Sequence, residues 1–273
     1  GNDILVANDR YNDGADDATV NADDNLYGEA GDDSLYGTAS DNILDGGTGA
    51  DILYSGDGSD TIVLRSGDGG SALSNADTIT DFTDGTDVLG LDDGLLYSDL
   101  TIAQSGSDTV ISITSSSEYL AILTGITASN INYFDFVSVA TGDQSFTGTT
   151  GDDVFIGAAG VDTITTNIGV DIVLASAGND VITIDGTGNK TIDGSSGTDS
   201  LTINVSGISS LGDYTFTTSG DYLVLTDASS NVIQYKNIES LTVGSYTYIE
   251  DTTKNTFWNA TEKTLYMYDG GSS

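Results

Sequence analysis

The 273-residue sequence has no cysteine, no histidine and no proline, one Met, one Trp, and only 6 Lys+Arg. Each absence removes a class of chemistry. Without cysteine there is no disulfide and no thiol nucleophile. Without cysteine and histidine there is no Cys/His zinc, haem or iron–sulfur site. Ser-His-Asp and Cys-His catalysis are excluded for the same reason. The shortage of basic residues argues against nucleic acid, because phosphate would be repelled rather than neutralised. No apolar run approaches the ~18 residues of a membrane-spanning helix.

What is present is acid and glycine. The chain carries 43 Asp+Glu and 35 Gly, for a formal charge of -37. Acidic, glycine-rich chains are often disordered, yet 37% of this one is hydrophobic and it contains 14 Tyr. A compact body with that charge repels itself strongly. Either high salt or stoichiometrically bound cations are therefore expected, and the spacing of the acids separates the two. Adaptation to salt scatters acids without a phase.

The acids are phased. Asp24, Asp33, Asn42, Asp51 and Asp60 recur every nine residues, and two positions after each stands Leu26, Leu35, Leu44, Leu53 or Ile62. Complete units read GEAGDDSLY (28–36) and GGTGADILY (46–54). A looser copy, GNDILV (1–6), is separated by an insertion from DGADDAT (13–19), which contains Asp16. The chain begins inside a repeat, as expected of a piece of a longer protein. A second array runs GTTGDDVFI (148–156), GAAGVDTIT (157–165), TNIGVDIVL (166–174) and ASAGNDVIT (175–183), with Asp153, Asp162, Asp171 and Asp180 in phase. Two further units, DGTGNKTID (185–193) and GSSGTDSLT (194–202), place Lys190 and Asp199 at the acid position.

This pattern resembles the RTX (hemolysin-type) calcium-binding nonapeptide, GGxGxDxUx with U a large apolar residue, over roughly 1–63 and 148–202. Physical reasoning on the spacing leads the same way. Glycines at the first and fourth positions permit positive φ, and a three-residue strand turns one side chain, U, inward. Two nonapeptides make an 18-residue coil, and coils stack as parallel strands ~4.8 Å apart. One repeat buries almost nothing, so stability comes from stacking. The expected edge pairs are Asp24 with Asn42, Asp33 with Asp51, Asn42 with Asp60, Asp153 with Asp171, and Asp162 with Asp180. Stacked carboxylates repel, and a hard cation between them reverses the sign. Ca²⁺ accepts six to eight oxygens, including the carbonyls of glycine-rich turns, whereas Mg²⁺ prefers a tight, hydrated octahedron.

The expected fold is all-β: two calcium-binding parallel β-rolls, each followed by a β-rich cap. The expected domains are 1–140 and 141–273. The candidate ligand positions are Asp16, Asp24, Gly28, Gly31, Asp33, Asn42, Gly46, Gly49, Asp51, Gly58 and Asp60 in the first array. In the second they are Gly148, Gly151, Asp153, Gly160, Asp162, Asp171, Gly178, Asp180 and Asp199. Asp81 and Asp84 are candidates to complete the last site of the first array. Lys190 has two open readings: an ammonium standing in for a calcium, or a solvated lysine on a worn repeat. Cap strands are predicted at 100–104, 109–113 and 119–123, and again at 214–218, 222–226 and 231–235. The tail, 249–273, holds Trp258, Tyr266 and Tyr268, which are read as stapling the last strand.

The resemblance implies export through a one-step bacterial (type I) apparatus and folding outside the cell on Ca²⁺. Three function classes follow. The favoured one is a structural or adhesive module of a secreted bacterial surface protein: a surface layer, a large adhesin or an extracellular filament. Its partners would be calcium, further copies in a lattice or filament, or a cell-surface glycan. The alternative is the secretion and folding tail of an enzyme or toxin whose catalytic part lies outside this chain. Catalysis by these carboxylates is the least favoured, because calcium claims them.

Overall fold

The computed structural model describes residues 1–6, 24–251, 256–259 and 264–267, with side chains through residue 249. Its described elements are strands and single 3-10 turns, with no α-helix among them. The chain divides into two compact units, Gly1–Ala140 and Thr141–Ser273.

In the first unit, the repeat strands are β1 (Ile4–Val6), β2 (Asn25–Tyr27), β3 (Ser34–Tyr36), β4 (Ile43–Asp45), β5 (Ile52–Tyr54) and β6 (Thr61–Leu64). Beyond the repeats come β7 (Asp77–Ile79), β8 (Val88–Leu91), β9 (Leu100–Ser105), β10 (Asp108–Ile113), β11 (Glu118–Leu123) and β12 (Phe136–Ser138). Alternate strands share a sheet, because each nonapeptide turns the chain to the opposite side of the coil. One sheet has the order β1-β3-β5-β7-β11-β10-β9 and the other β12-β8-β6-β4-β2. Repeat strands pair in parallel at 18-residue steps, Leu26 beside Leu44 and Leu35 beside Leu53.

The second unit repeats the plan. Its strands are β13 (Ser145–Thr147), β14 (Val154–Ile156), β15 (Thr163–Thr166), β16 (Asp171–Leu174), the two-residue β17 (Ala177–Gly178), and β18 (Val181–Ile184). They continue with β19 (Lys190–Asp193), the two-residue β20 (Ser196–Gly197), β21 (Ser200–Ile203), β22 (Tyr214–Ser219), β23 (Tyr222–Asp227) and β24 (Val232–Lys236). The last are β25 (Ser240–Val243), β26 (Tyr246–Asp251), β27 (Thr256–Asn259) and β28 (Thr264–Met267). The main sheets run β13-β15-β18-β21-β25-β26-β27-β28 and β14-β16-β19-β24-β23-β22.

The U positions form the interior ladder. Leu35, Leu44, Leu53 and Ile62 are fully buried, as are Ile164, Val173, Ile182, Ile192 and Leu201. Each such side chain contributes roughly 1.5–3 kcal/mol on burial, but only when the next coil covers it. The caps complete this cover. In the first unit β9, β10 and β11 form an antiparallel meander whose last strand joins β7 in parallel. In the second, β22, β23 and β24 do the same against β19. Leu223, Leu225, Ile233 and Tyr235 of this second cap belong to the same hydrophobic core as the repeats. The hydroxyl of Tyr248 accepts the Leu211 N–H at 3.2 Å, so a buried phenol ties the final sheet to the cap loop. Trp258 and Tyr266 lie on β27 and β28, which extend that sheet antiparallel, while Tyr268 lies outside the described residues.

Candidate metal centre

The acids of the period-nine phase are not solvated turn residues. Asp33, Asn42, Asp51, Asp60, Asp162, Asp171, Asp180 and Asp199 are each at most 1% exposed. They line the edges of the coils in hydrogen-bonded ladders. The Oδ1 of each acid accepts the backbone N–H of the acid position one coil earlier: Asp33 N–H to Asp51 at 2.7 Å, Asn42 to Asp60 at 2.7 Å, Asp153 to Asp171 at 3.1 Å, and Asp162 to Asp180 at 2.8 Å. Across the 19-residue step, Asp180 N–H donates to Asp199 Oδ1 at 2.8 Å. A buried carboxylate thus satisfies the N–H that the turn would otherwise orphan.

On some rungs the ladder uses one oxygen and leaves the other, whereas Oδ2 of Asp162 accepts the Ala158 N–H and Oδ2 of Asp87 the Thr83 N–H, each at 2.7 Å. Oδ2 of Asp33, Asp51, Asp180 and Asp199 is buried without a hydrogen-bond donor. Leaving a buried carboxylate oxygen unmatched is costly, so the geometry calls for a positive charge. The first-position glycines show where it fits. A Cβ on Gly28 would lie 2.5 Å from the Gly46 carbonyl oxygen and 2.8 Å from Asp33 Oδ2. A Cβ on Gly194 would collide with the Asn237 carbonyl and Asp199 Oδ2. In each case a carboxylate oxygen and a carbonyl oxygen of the adjoining coil converge where only glycine leaves room. Among the described residues no three acidic side chains converge as a metal cluster. An ion held here would take its remaining oxygens from main-chain carbonyls and water, the donor set of Ca²⁺.

The electrostatics agree. Burial pushes Asp60 and Asp199 up to about 6, with the charge of Asp87 adding for the first and those of Asp180 and Glu239 for the second. Burial also raises Asp51, Asp77, Asp87, Asp162 and Asp180, against backbone hydrogen bonds that act to lower them. Without a cation these ladders resist ionisation.

The structure distributes the candidate positions unevenly around these edges. Asp24 stands opposite Asn42 through the β2–β4 register. Asn42 is the weakest rung: its Oδ1 accepts the Thr38 N–H at 2.6 Å and its Nδ2 is buried without an acceptor. Asp153 is less buried, and Thr149 donates to its Oδ2 through both N–H and hydroxyl. Asp16 lies outside the described residues. Gly31, Gly49, Gly58 and Gly178 do adopt positive φ, from 121° to 154°. Gly28, Gly46 and Gly148 do not; they are needed for close approach, since a Cβ on Gly46 would strike Asp51 Oδ2. The left-handed residue is instead the second of the unit, as in Glu29, Gly47, Ser176 and Ser195. Gly160 packs against the Asp143 backbone, whereas a side chain at Gly151 would meet only the Thr149 hydroxyl at 3.5 Å.

The rungs that continue the ladders into the caps are Asp77, Asp87 and Glu239. They accept the N–H groups of Asp51 at 2.9 Å, Asp60 at 3.1 Å and Asp199 at 2.6 Å. Asp81 binds the next turn instead, accepting the Ser55 and Gly56 N–H groups. Asp84 has no such link to the array; its charge falls on Asp135. A second ladder runs along the exposed fifth position, where Asp32, Asp41, Asp143 and Asp152 accept N–H groups 18 residues on. Doublets such as Asp32-Asp33 and Asp152-Asp153 are its trace in the sequence.

Comparison with known families agrees with the repeat pattern. The RTX calcium-binding nonapeptide repeat family (4 copies) matches residues 19–53, 36–69 and 142–182. Residues 19–69 and 142–182 thus carry nonapeptide repeats of a calcium-binding kind. No curated protein matches the chain. Among solved structures, the AlgE6R3 subunit of the Azotobacter vinelandii mannuronan C5-epimerase is 26% identical, with 44% of this chain and 81% of that subunit covered and a TM-score of 0.30. The extracellular lipase LipA of Serratia marcescens is 15% identical, with 76% of this chain and 38% of the lipase covered and a TM-score of 0.26.

Proposed function

We propose that this RTX chain is a calcium-folded structural module of a secreted bacterial surface protein, such as a surface layer, an adhesin or an extracellular filament. The observation that carries the reading is the buried row of unmatched Oδ2 atoms on stacked coils. The ligands would be Asp33, Asp51, Asp60 and Asp77 in the first unit and Asp180, Asp199 and Glu239 in the second, with turn carbonyls. Bound calcium supplies the positive charge that lets these carboxylates stack. Because only the coiled form presents the full donor set, binding energy becomes folding energy. At the ~10⁻⁴–10⁻³ M affinities usual for extracellular modules, the chain stays open in a low-calcium cytoplasm and closes outside. Both units use their acids for this purpose, which supports a scaffold over a catalyst.

The acidic surface sets the condition for self-association, since like-charged copies meet only with divalent ions or complementary edges between them. Light scattering coupled to gel filtration, with calcium raised from micromolar to ~10 mM, is expected to show folding followed by growth into oligomers. Folding without any growth would count against a lattice or filament, and would favour the folding tail of a larger secreted enzyme.

A further inference from the structure

Every basic side chain among the described residues is ion-paired to aspartate. Arg65 contacts Asp45 at 2.6 Å, Asp92 at 3.2 Å and Asp68 at 3.3 Å. Lys236 contacts Asp193 at 2.9 Å, its partner in the β19–β24 register. Lys190 differs from both, because it occupies the acid position of its repeat. It lies in register with Asp171 on β16, and the two side chains are fully buried with Nζ 2.9 Å from Asp171 Oδ2. No donor makes a well-aimed hydrogen bond to that oxygen, so the contact is ionic. The ammonium donates instead to two turn carbonyls, Gly169 at 2.7 Å and Thr187 at 3.2 Å. One carboxylate oxygen and two turn carbonyls around a buried positive charge are the kind of donor set that the other rungs leave to a metal.

The surroundings are adjusted to match. Elsewhere the backbone N–H of a rung donates to the next carboxylate, but here Asp171 N–H donates to the Asn189 carbonyl at 3.0 Å. The Asn189 side chain in turn accepts the Val232 N–H of the cap strand at 2.9 Å. The opposite edge of the same unit keeps unmatched oxygens on Asp180 and Asp199. One edge thus contains its own cation while the other lacks one.

We propose that Lys190 is a built-in cation that replaces one divalent ion between coils, so that β16, β19 and β24 stay coiled without calcium and seed the second unit. The inference rests on the calcium reading above, and it deepens it by dividing the coil steps into fixed and switchable ones. Calcium folding would then spread from this seed toward the Asp162–Asp180–Asp199 edge.

The test combines hydrogen exchange and calorimetry on the full chain. In chelator, amides of β16 and β19 are expected to exchange at least about tenfold more slowly than those of β3 and β5, whose edges have no fixed cation. Lys190→Asp is expected to abolish that difference in chelator and to bind about one more calcium per chain than the wild type. Equal exchange of the two pairs of strands in the wild-type chain overturns the proposal, and this arm needs no variant to fold. Unchanged stoichiometry in a Lys190→Asp chain that recovers wild-type circular dichroism in calcium overturns it as well. A wild-type chain that binds no calcium defeats the underlying reading instead, so the two failures are distinct.

Discussion

Asp180→Asn is expected to weaken calcium binding to the second unit by roughly a hundredfold while leaving the metal-free chain no less stable. Asp180 is buried between two rungs, with its Oδ1 on the Asp162 N–H and its Oδ2 unmatched. An asparagine of the same shape keeps the first bond. It places an NH₂ group where a cation would need an oxygen. Breaking a buried charge pair costs on the order of 3 kcal/mol, equivalent to about two decades in affinity. Without metal the sign reverses. Burial and the Asp162 charge both oppose ionisation of Asp180, so removing the charge relieves repulsion. Calcium titration by calorimetry and melting in chelator read the two halves separately. Wild-type affinity in the variant, or lower stability in chelator, would show that Asp180 acts through packing alone.

The second large effect is with pH. For the metal-free chain, Asp60 and Asp199 are raised to about 6 and Asp68 to about 7, in each case mainly by burial, with Arg65 opposing the rise at Asp68. An unfolded aspartate titrates near 3.8. Groups raised on folding bind protons more tightly in the folded state, so their stabilisation is complete below pH ~4 and lost as pH rises through 6 to 7. Even at ~1 kcal/mol apiece after solvent screening, three such groups remove about 3 kcal/mol between pH 4.5 and pH 8, so the stripped chain is partly coiled at pH 4.5 and largely disordered at pH 8. Saturating calcium reverses the trend, because a carboxylate must lose its proton to bind metal. Far-ultraviolet circular dichroism of calcium-stripped protein at the two pH values, with and without excess calcium, reads both trends. A stripped chain with more β-sheet signal at pH 8 than at pH 4.5 would mean that the buried acids are already neutralised by something in the fold.

How far the sequence reaches is set by the length of the coil. Where two nonapeptides make 18 residues, position alone predicts both the sheet partner and the ladder partner, as for Leu35 with Leu53 and Asp33 with Asp51. The cap hairpins were also legible, because apolar alternation and the Gly106 and Gly220 turns do not depend on the repeat; both glycines have positive φ. The steps that lengthen were not legible. Asp77 follows Asp51 by 26 residues, Asp87 follows Asp60 by 27, and Glu239 follows Asp199 by 40. In each a loop or a whole hairpin is inserted between one rung and the next, and no fixed period survives. A local trace remains, an acid two residues before a buried aliphatic: Asp77 with Ile79, Asp87 with Leu89, Glu239 with Leu241. Lys190 with Ile192 has the same spacing, and only the register shows that its ammonium points back at Asp171. The role of the first-position glycines was misjudged for a related reason. Their constraint is the neighbouring coil's carbonyl, which local backbone preference does not reveal.

Far-ultraviolet circular dichroism of the purified chain at pH 7.5, in chelator and then at 5 mM calcium, tests the central claim most directly. Unmatched buried carboxylates predict a largely disordered spectrum in chelator, with at most the Lys190 region retained, and a cooperative gain of β-sheet signal as calcium is added. A chelated chain with the full β-sheet spectrum and the melting temperature of the calcium form would contradict it.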